Sequence, residues 1–217
     1  MRFISPLFSV PFSRWAKLLF GLAFVGSGIA FTKQANLGLG PWDVLGDGLA
    51  QLIGLQLGTA SVIIGVLVLL LWIPFREKHG IGTLSNLFVV GVFMNLALGV
   101  VHSPPGVLLR SVWLTAGLLL IGLGSVLYLA SQLGAGPRDG LMLGLSRMTG
   151  SSVRLTRTAL EIAVLVVGWL LGGAVGVGTI VIALTIGPVV QFMSRIMGEE
   201  LNGTKGSSID IQNCCVN

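Results

Sequence analysis

Charged side chains are scarce in this chain, and their scarcity excludes an ordinary soluble protein. Only 10% of the 217 residues are Asp, Glu, Lys or Arg, whereas 53% are hydrophobic. A soluble chain carries roughly 25% charged residues, and several stretches here approach the ~20 apolar residues that cross a bilayer. The sequence therefore predicts a polytopic membrane protein whose partner is the lipid bilayer. The net charge of +5 is not gathered into a basic patch among aromatics, so no nucleic-acid partner is expected.

Cysteine and histidine are also rare, and neither is spaced for chemistry. Cys214 and Cys215 are adjacent near the carboxyl end, and His79 and His102 fall in separate predicted loops. The pattern holds no disulfide framework, no metal-ligand spacing and no cysteine–histidine nucleophile pair. A Walker-type phosphate loop is missing as well. The sequence accordingly favours a protein that is not an enzyme and that binds no metal or other cofactor.

Glycine, by contrast, is abundant, with 32 residues, and it marks an internal repeat. The motif G-x-G-P-x-D begins at Gly38 and occurs again 96 positions later, at Gly134. The motif G-x-G-T shows the same offset, beginning at Gly80 and at Gly176. A fixed offset of this kind predicts a duplicated structural unit. The predicted units are residues 15–101 and 107–197, flanked by an amino-terminal tail at 1–14 and a polar carboxyl-terminal tail at 198–217.

Each unit contains three apolar stretches that are predicted to span the membrane. These stretches are about 18–31, 59–75, 81–101, 107–133, 158–174 and 176–197. A shorter segment beginning at Pro41 or Pro137 separates the first two spans of each unit. A helix from Pro41 to Ile53 would be about 20 Å long, which is less than the ~30 Å hydrocarbon core. We expect a short broken helix that dips into the bilayer from a Gly-Pro turn; a helix lying flat at the interface is the alternative.

Positive charges predict the topology. With six spans and a cytoplasmic amino terminus, every Lys and Arg except Lys33 and Arg110 lies inside, as the positive-inside rule favours. Eight full spans would move Arg76, Lys78 and Arg138 outside, so six spans are preferred. Three spans per unit give the units opposite orientations. The predicted fold is therefore all-α with an inverted 3+3 repeat, a plan typical of secondary transporters, and both termini are cytoplasmic.

The two motifs, each present twice at this spacing, resemble the YczE/YyaS/YitT family of bacterial integral membrane proteins. The resemblance covers nearly all of residues 15–197. It implies a multi-pass protein of the bacterial inner membrane. It assigns no residue a role, and transport-like and regulatory roles are both suggested for relatives.

The candidate substrate-binding residues come from the two turns and from the polar positions of the predicted helices. They are Gly38, Gly40, Pro41, Asp43, Asp47, Asn95, Gly134, Gly136, Pro137, Asp139, Glu161 and Gln191. Each has a structural reading as well. The aspartates of the turns suit helix caps, Glu161 suits an ion pair with Arg157 one turn away, and the amides suit contacts between helices. Gly40 and Gly136 are expected to need a backbone conformation that only glycine tolerates.

A permease for a small solute or ion is the function that this pattern favours, because inverted repeats with broken helices build transport sites. A non-transporting regulatory or accessory membrane protein is the alternative, favoured by the small size. The sequence identifies no solute and no oligomeric state, and a homo-oligomer is compatible with it. We also expect the two Gly-Pro helix ends to meet at a shared polar centre. Asp139 lies beside Arg138 and within reach of Arg147, which can compensate its charge.

Overall fold

A computed structural model describes residues 11–72, 81–134 and 136–198, so most of the two predicted tails lies outside the described residues. Within these ranges the chain forms α-helices and no strand. The helices are α1 (Phe12–Ala35), α2 (Pro41–Ile53), α3 (Leu57–Trp72), α4 (Ile81–Val100), α5 (Val107–Ala130), α6 (Pro137–Thr149), α7 (Val153–Leu170) and α8 (Val177–Met197). The prediction of an all-α membrane fold is confirmed at this level.

Four of the described helices, α1, α4, α5 and α8, are long and apolar enough to cross a membrane. Helices α2 and α3 meet at a bend of 111°, and this pair counts as a fifth span if it is taken as one broken helix. Length and composition thus give four or five spans where the sequence pattern predicted six. Helix α3 has only 16 residues, and α7 carries Arg154, Arg157 and Glu161 within 18 residues.

Helices α1 and α5 form the centre of the bundle and approach each other through glycines. A Cβ added to Gly21 would lie 2.8 Å from the carbonyl oxygen of Gly124, and one added to Gly28 would lie 2.8 Å from that of Gly117. Such distances leave no room for a side chain. These small residues thus allow the close approach of the two helices. Helix α4 packs against α1, and α8 packs against α5.

The short helices α2 and α6 pack crosswise between the two parts of the chain. Helix α2 contacts α7 as well as α3, and α6 contacts α3 as well as α7. Each has 13 residues and begins at a proline that follows an extended glycine. Proline is well suited to this first position, because its missing N–H would have no partner there. The predicted start and length of both short helices are confirmed.

Large apolar side chains remain exposed on the outer faces of the long helices. Phe20 on α1 is 63% exposed, and Leu184 on α8 is 72% exposed. Contiguous apolar surface of this extent is unusual on a soluble monomer and suits contact with lipid. Together with the apolar spans, it identifies a multi-pass membrane protein.

Candidate functional site

The two G-x-G-P-x-D turns have the same backbone shape, and their first glycine is the demanding position. Gly38 has φ +119° and Gly134 has φ +140°, a region that residues with a side chain rarely adopt. Gly40 and Gly136 have φ near −64°. The prediction that this second pair needs a glycine-only conformation is therefore wrong. The proline that follows each of them already favours an extended backbone, which any residue can adopt.

The G-x-G-T motif of each unit contacts the turn of the other unit. The backbone N–H of Gly178 donates a 2.7 Å hydrogen bond to the carbonyl of Leu37, and that of Gly82 donates a 2.9 Å bond to the carbonyl of Leu133. A Cβ on Gly178 would lie 2.8 Å from the Leu37 oxygen, so the contact requires glycine. Both motifs are visible in the sequence, but the contact between them is not.

Substitution of the turn glycines tests this geometry. We expect Gly38→Ala to lower the free energy of unfolding by about 2 kcal/mol or more, because of the positive φ and because its Cβ would lie 2.6 Å from the Thr179 hydroxyl. Gly40→Ala is the matched control and should cost less than about 1 kcal/mol, since its φ is ordinary. Thermal unfolding of both variants in one detergent measures the difference. A larger loss for Gly40→Ala would contradict the assignment.

Both turns lead to one cavity of about 320 Å³ inside the bundle. Gly40, Pro41, Trp42 and Asp43 line it from α2, and the matching positions of α6 that line it are Gly136, Pro137 and Arg138. Other polar side chains reach the same space from the surrounding helices. They are Ser61, Asn86, Ser125, Tyr128, Arg157 and Glu161. The structure thus brings the amino-terminal ends of the two short helices to a shared polar centre.

An ion pair between the two short helices lies at this centre. Arg138 donates from Nη2 to Oδ1 of Asp43 over 3.3 Å. The Asp43 side chain is 11% exposed, whereas that of Arg138 is 46% exposed. The guanidinium carbon of Arg138 also lies 5.2 Å from the centre of the Trp42 ring, a cation–π distance. Arg138 therefore binds the other unit's aspartate, a contact that the sequence analysis did not predict.

Arg138 was not among the sequence candidates. It occupies the variable position of the turn motif, where the first copy has Trp42. The motif singled out its neighbour Asp139, because the aspartate is present in both copies. The side chain of Asp139 lies outside the described residues. The feature that could have identified Arg138 is its position between a proline and an aspartate in an apolar sequence. Charged residues in such surroundings are costly and generally functional.

A second ion pair lines the cavity from α7. Arg157 Nε donates to Glu161 Oε1 over 2.9 Å, at the i, i+4 spacing of a helix. The predicted pairing of Glu161 is confirmed, and it does not exclude Glu161 from the cavity wall. Among the described side chains, the lining thus carries two acids and two arginines, whose charges balance. Among the described residues, no cluster of His, Cys, Asp or Glu is arranged to hold a metal ion.

Asp47 lies one turn from Asp43 but belongs to a different site. It accepts hydrogen bonds from Lys33 Nζ, from Gln51 Nε2 at 3.1 Å and from the backbone N–H of Ala174 at 3.0 Å. Asp47 is 3% exposed and borders a second cavity of about 400 Å³. Asp43 faces the central cavity, and Asp47 fastens α2 to α1 and to the loop before α8.

The two amides that correspond across the repeat have different surroundings. Asn95 Oδ1 accepts a 2.9 Å bond from the Gly58 backbone N–H, and its Nδ2 donates to Thr59 Oγ1 at 3.1 Å. Asn95 thus joins α4 to the start of α3 and also borders the second cavity. Gln191 is exposed on α8. The structure does not bring these two candidates together.

Comparison with known proteins places the chain in a family. Residues 12–195 match the family of unknown function DUF6198. An uncharacterised protein of Haemophilus influenzae is 40% identical over 180 residues, which cover 83% of each chain. The uncharacterised membrane protein YczE of Bacillus subtilis is 35% identical over 184 residues, covering 82% of this chain and 84% of the relative. The uncharacterised protein YyaS of the same bacterium is 32% identical over 164 residues, with coverages of 74% and 82%.

No solved structure matches the chain. The resemblance to the YczE and YyaS proteins that the two motifs predict is confirmed by these relatives. The chain belongs to the DUF6198 family of YczE- and YyaS-like bacterial membrane proteins.

Proposed function

We propose that this protein is a permease of the bacterial inner membrane and that the central cavity binds its small solute. The observation that carries the proposal is the meeting of the two short helices. Their amino-terminal ends converge on one cavity, where Asp43 of α2 binds Arg138 of α6. In transporters built from inverted repeats, broken helices of this kind form the solute site near the middle of the bilayer.

The cost of the Asp43–Arg138 pair supports a functional reading. Charges inside a membrane protein are expensive and typically mark a pathway or binding site. A buried ion pair is also weak evidence for stability, because desolvation offsets much of its attraction. A chain with only 10% charged residues nevertheless places four of them around one cavity. Solute binding accounts for these four charges, whereas packing alone does not.

An inverted 3+3 repeat is the architecture that we propose for this permease. Helices α2 and α6, beginning at Pro41 and Pro137, and α4 and α8, beginning at Ile81 and Val177, keep the offset of the sequence motifs. The hydrogen bonds between turn and G-x-G-T motif are exchanged in both directions. These observations support two equivalent units. The charge distribution along the sequence supports six spans with both termini in the cytoplasm.

Cysteine labelling tests this orientation. We expect a single cysteine at Ser103, before α5, to react from outside the cell, and one at Ser152, before α7, to react only from the cytoplasm. Both variants lack Cys214 and Cys215, so that the introduced thiol alone is measured with a membrane-impermeant reagent. Labelling of both positions from the same side would contradict the six-span arrangement.

Solute flux tests the permease itself. Purified protein is placed in proteoliposomes, and uptake of radiolabelled lactate, glycine, glucose and choline is measured under outward gradients of the same unlabelled solute. We expect at least one class to enter faster than in protein-free liposomes. Absence of uptake for every class, from protein that is folded and fully inserted, would overturn the proposal and favour the regulatory or accessory role.

A further inference from the structure

Resting on the proposed function, we infer that the central cavity takes a small organic monocarboxylate with an apolar body. Its carboxylate binds the Arg138 guanidinium in place of Asp43. Four features favour this chemical class of solute: the exposure of Arg138, the direction of helices α2 and α6, the apolar side chains of the cavity wall and the balance of its charges.

Arg138 is the member of the ion pair that a solute can reach. Its side chain is 46% exposed, whereas that of Asp43 is 11% exposed. The bond to Asp43 is single and long, at 3.3 Å, although a guanidinium offers five N–H donors in a planar fork. A carboxylate that enters the cavity can form the two-pronged contact that this fork favours. Asp43 does not form that contact in the structure.

The helix ends favour an anion at the same place. Helices α2 and α6, each of 13 residues, direct their amino termini toward the cavity. The amino-terminal end of a helix carries partial positive charge and attracts anions. The Trp42 ring, 5.2 Å from the guanidinium carbon, fixes one face of Arg138. Asp43 lies in the first turn of α2 and offsets part of the charge of that helix end, so Arg138 is the main group that disfavours a cation here.

The rest of the wall selects for one negative charge on an apolar body. Much of the lining is aliphatic or thioether side chains, including Val25, Ile29, Ile64, Met94, Ile121 and Ile186. Arg157, the other arginine of the lining, is held by Glu161 at 2.9 Å. Each arginine of the described lining is therefore matched by one acid, and this lining has no excess positive charge that would favour a second negative charge on the solute. A volume of about 320 Å³ falls at the lower end of ligand pockets.

This arrangement makes Asp43 a competitor of the solute for Arg138. The consequence is a pair of opposite effects. Removing the charge of Arg138 should abolish carboxylate binding, whereas removing the charge of Asp43 should strengthen it. A cation site built on Asp43 would show the reverse, so the two variants decide between an anion and a cation.

Binding is measured by isothermal titration calorimetry on the full chain in nanodiscs. Benzoate and butyrate are the probes, and benzamide, butyramide and butylamine are the matched neutral and cationic compounds. We expect the carboxylates alone to bind. Arg138→Gln should weaken binding by roughly tenfold or more, and Asp43→Asn should tighten it several-fold. Arg110→Gln, whose side chain contacts the backbone of Pro104 and not the cavity, is the control and should bind like the native chain.

The outcomes separate the inference from the permease proposal. Binding of butylamine, with tightening by Arg138→Gln, would overturn the carboxylate inference and leave the permease standing. Flux of glycine or glucose without carboxylate binding would do the same. Absence of both binding and flux would overturn the two proposals together. Thermal unfolding confirms that each variant is folded. Arg138→Lys keeps the positive charge but lacks the planar fork, so its affinity for the carboxylates should lie between those of the native chain and of Arg138→Gln.

Discussion

An Arg138→Gln variant is expected to lose solute flux and to unfold more easily than the native chain. The carboxyl group of Asp43, 11% exposed, would lose its charged partner. Breaking a buried pair from one side costs about 3 to 5 kcal/mol. Because Arg138 is itself half exposed, we expect a loss below this range, about 2 to 3 kcal/mol.

The double variant Asp43→Asn/Arg138→Gln separates the structural cost from the functional one. Two neutral groups can still exchange a hydrogen bond, so the double variant should regain most of the lost stability. Flux should not return, because the solute's partner is missing. Unfolding in a denaturant series and flux in proteoliposomes measure the two effects on the same preparations. Recovery of flux in the double variant would show that the pair serves only packing.

The second large effect on stability is expected from substitution of Asp47. Asp47→Ala removes the acceptor of three hydrogen bonds, from Lys33, Gln51 and the backbone of Ala174. The side chain is only 4% exposed, and the loss leaves the Lys33 ammonium and a backbone N–H without their partner. We expect the free energy of unfolding to fall by about 3 to 4 kcal/mol, as measured by thermal or denaturant unfolding in nanodiscs.

Gln51→Ala is the matched control for Asp47→Ala. It removes one of the three donors and leaves Asp47 bonded to the other two, so we expect a loss below about 1 kcal/mol. Similar losses for both variants would contradict the view that Asp47 joins three segments. In the second unit the corresponding residue is Leu143, so this charged connection belongs to the first unit alone.

The parts of this structure that local chemistry controls were predictable from the sequence. Pro41 and Pro137 begin the short helices where they are expected, because a proline suits the first helical position and little else. The pairing of Arg157 with Glu161 follows from helical spacing. Glycine within an apolar helix typically marks a close contact between helices, which indicates the packing at Gly21.

Contacts between distant segments were not predictable in the same way. The contact of Arg138 with Asp43, which lies in the other unit, could not be inferred from the neighbours of Arg138 in the sequence. The bond from Gly178 to Leu37 likewise depends on how the units meet. The glycine-only position was placed at Gly40 although Gly38 holds it, because the constraint that proline puts on its predecessor was overlooked. Length and composition support four spans among the described helices, or five with the bent pair α2 and α3, so the sixth predicted span rests on the charge distribution.

The central claim is that solute passes through the cavity between the short helices, and a cysteine in its wall tests this most directly. Ser61 lines the cavity, whereas Ser103 contacts Gln34 at the end of α1. In a chain lacking Cys214 and Cys215, treatment of Ser61→Cys with a small thiol reagent should stop the flux, and saturating solute should slow the modification. Ser103→Cys should keep its flux after complete modification. Undiminished flux through fully modified Ser61→Cys would contradict the account.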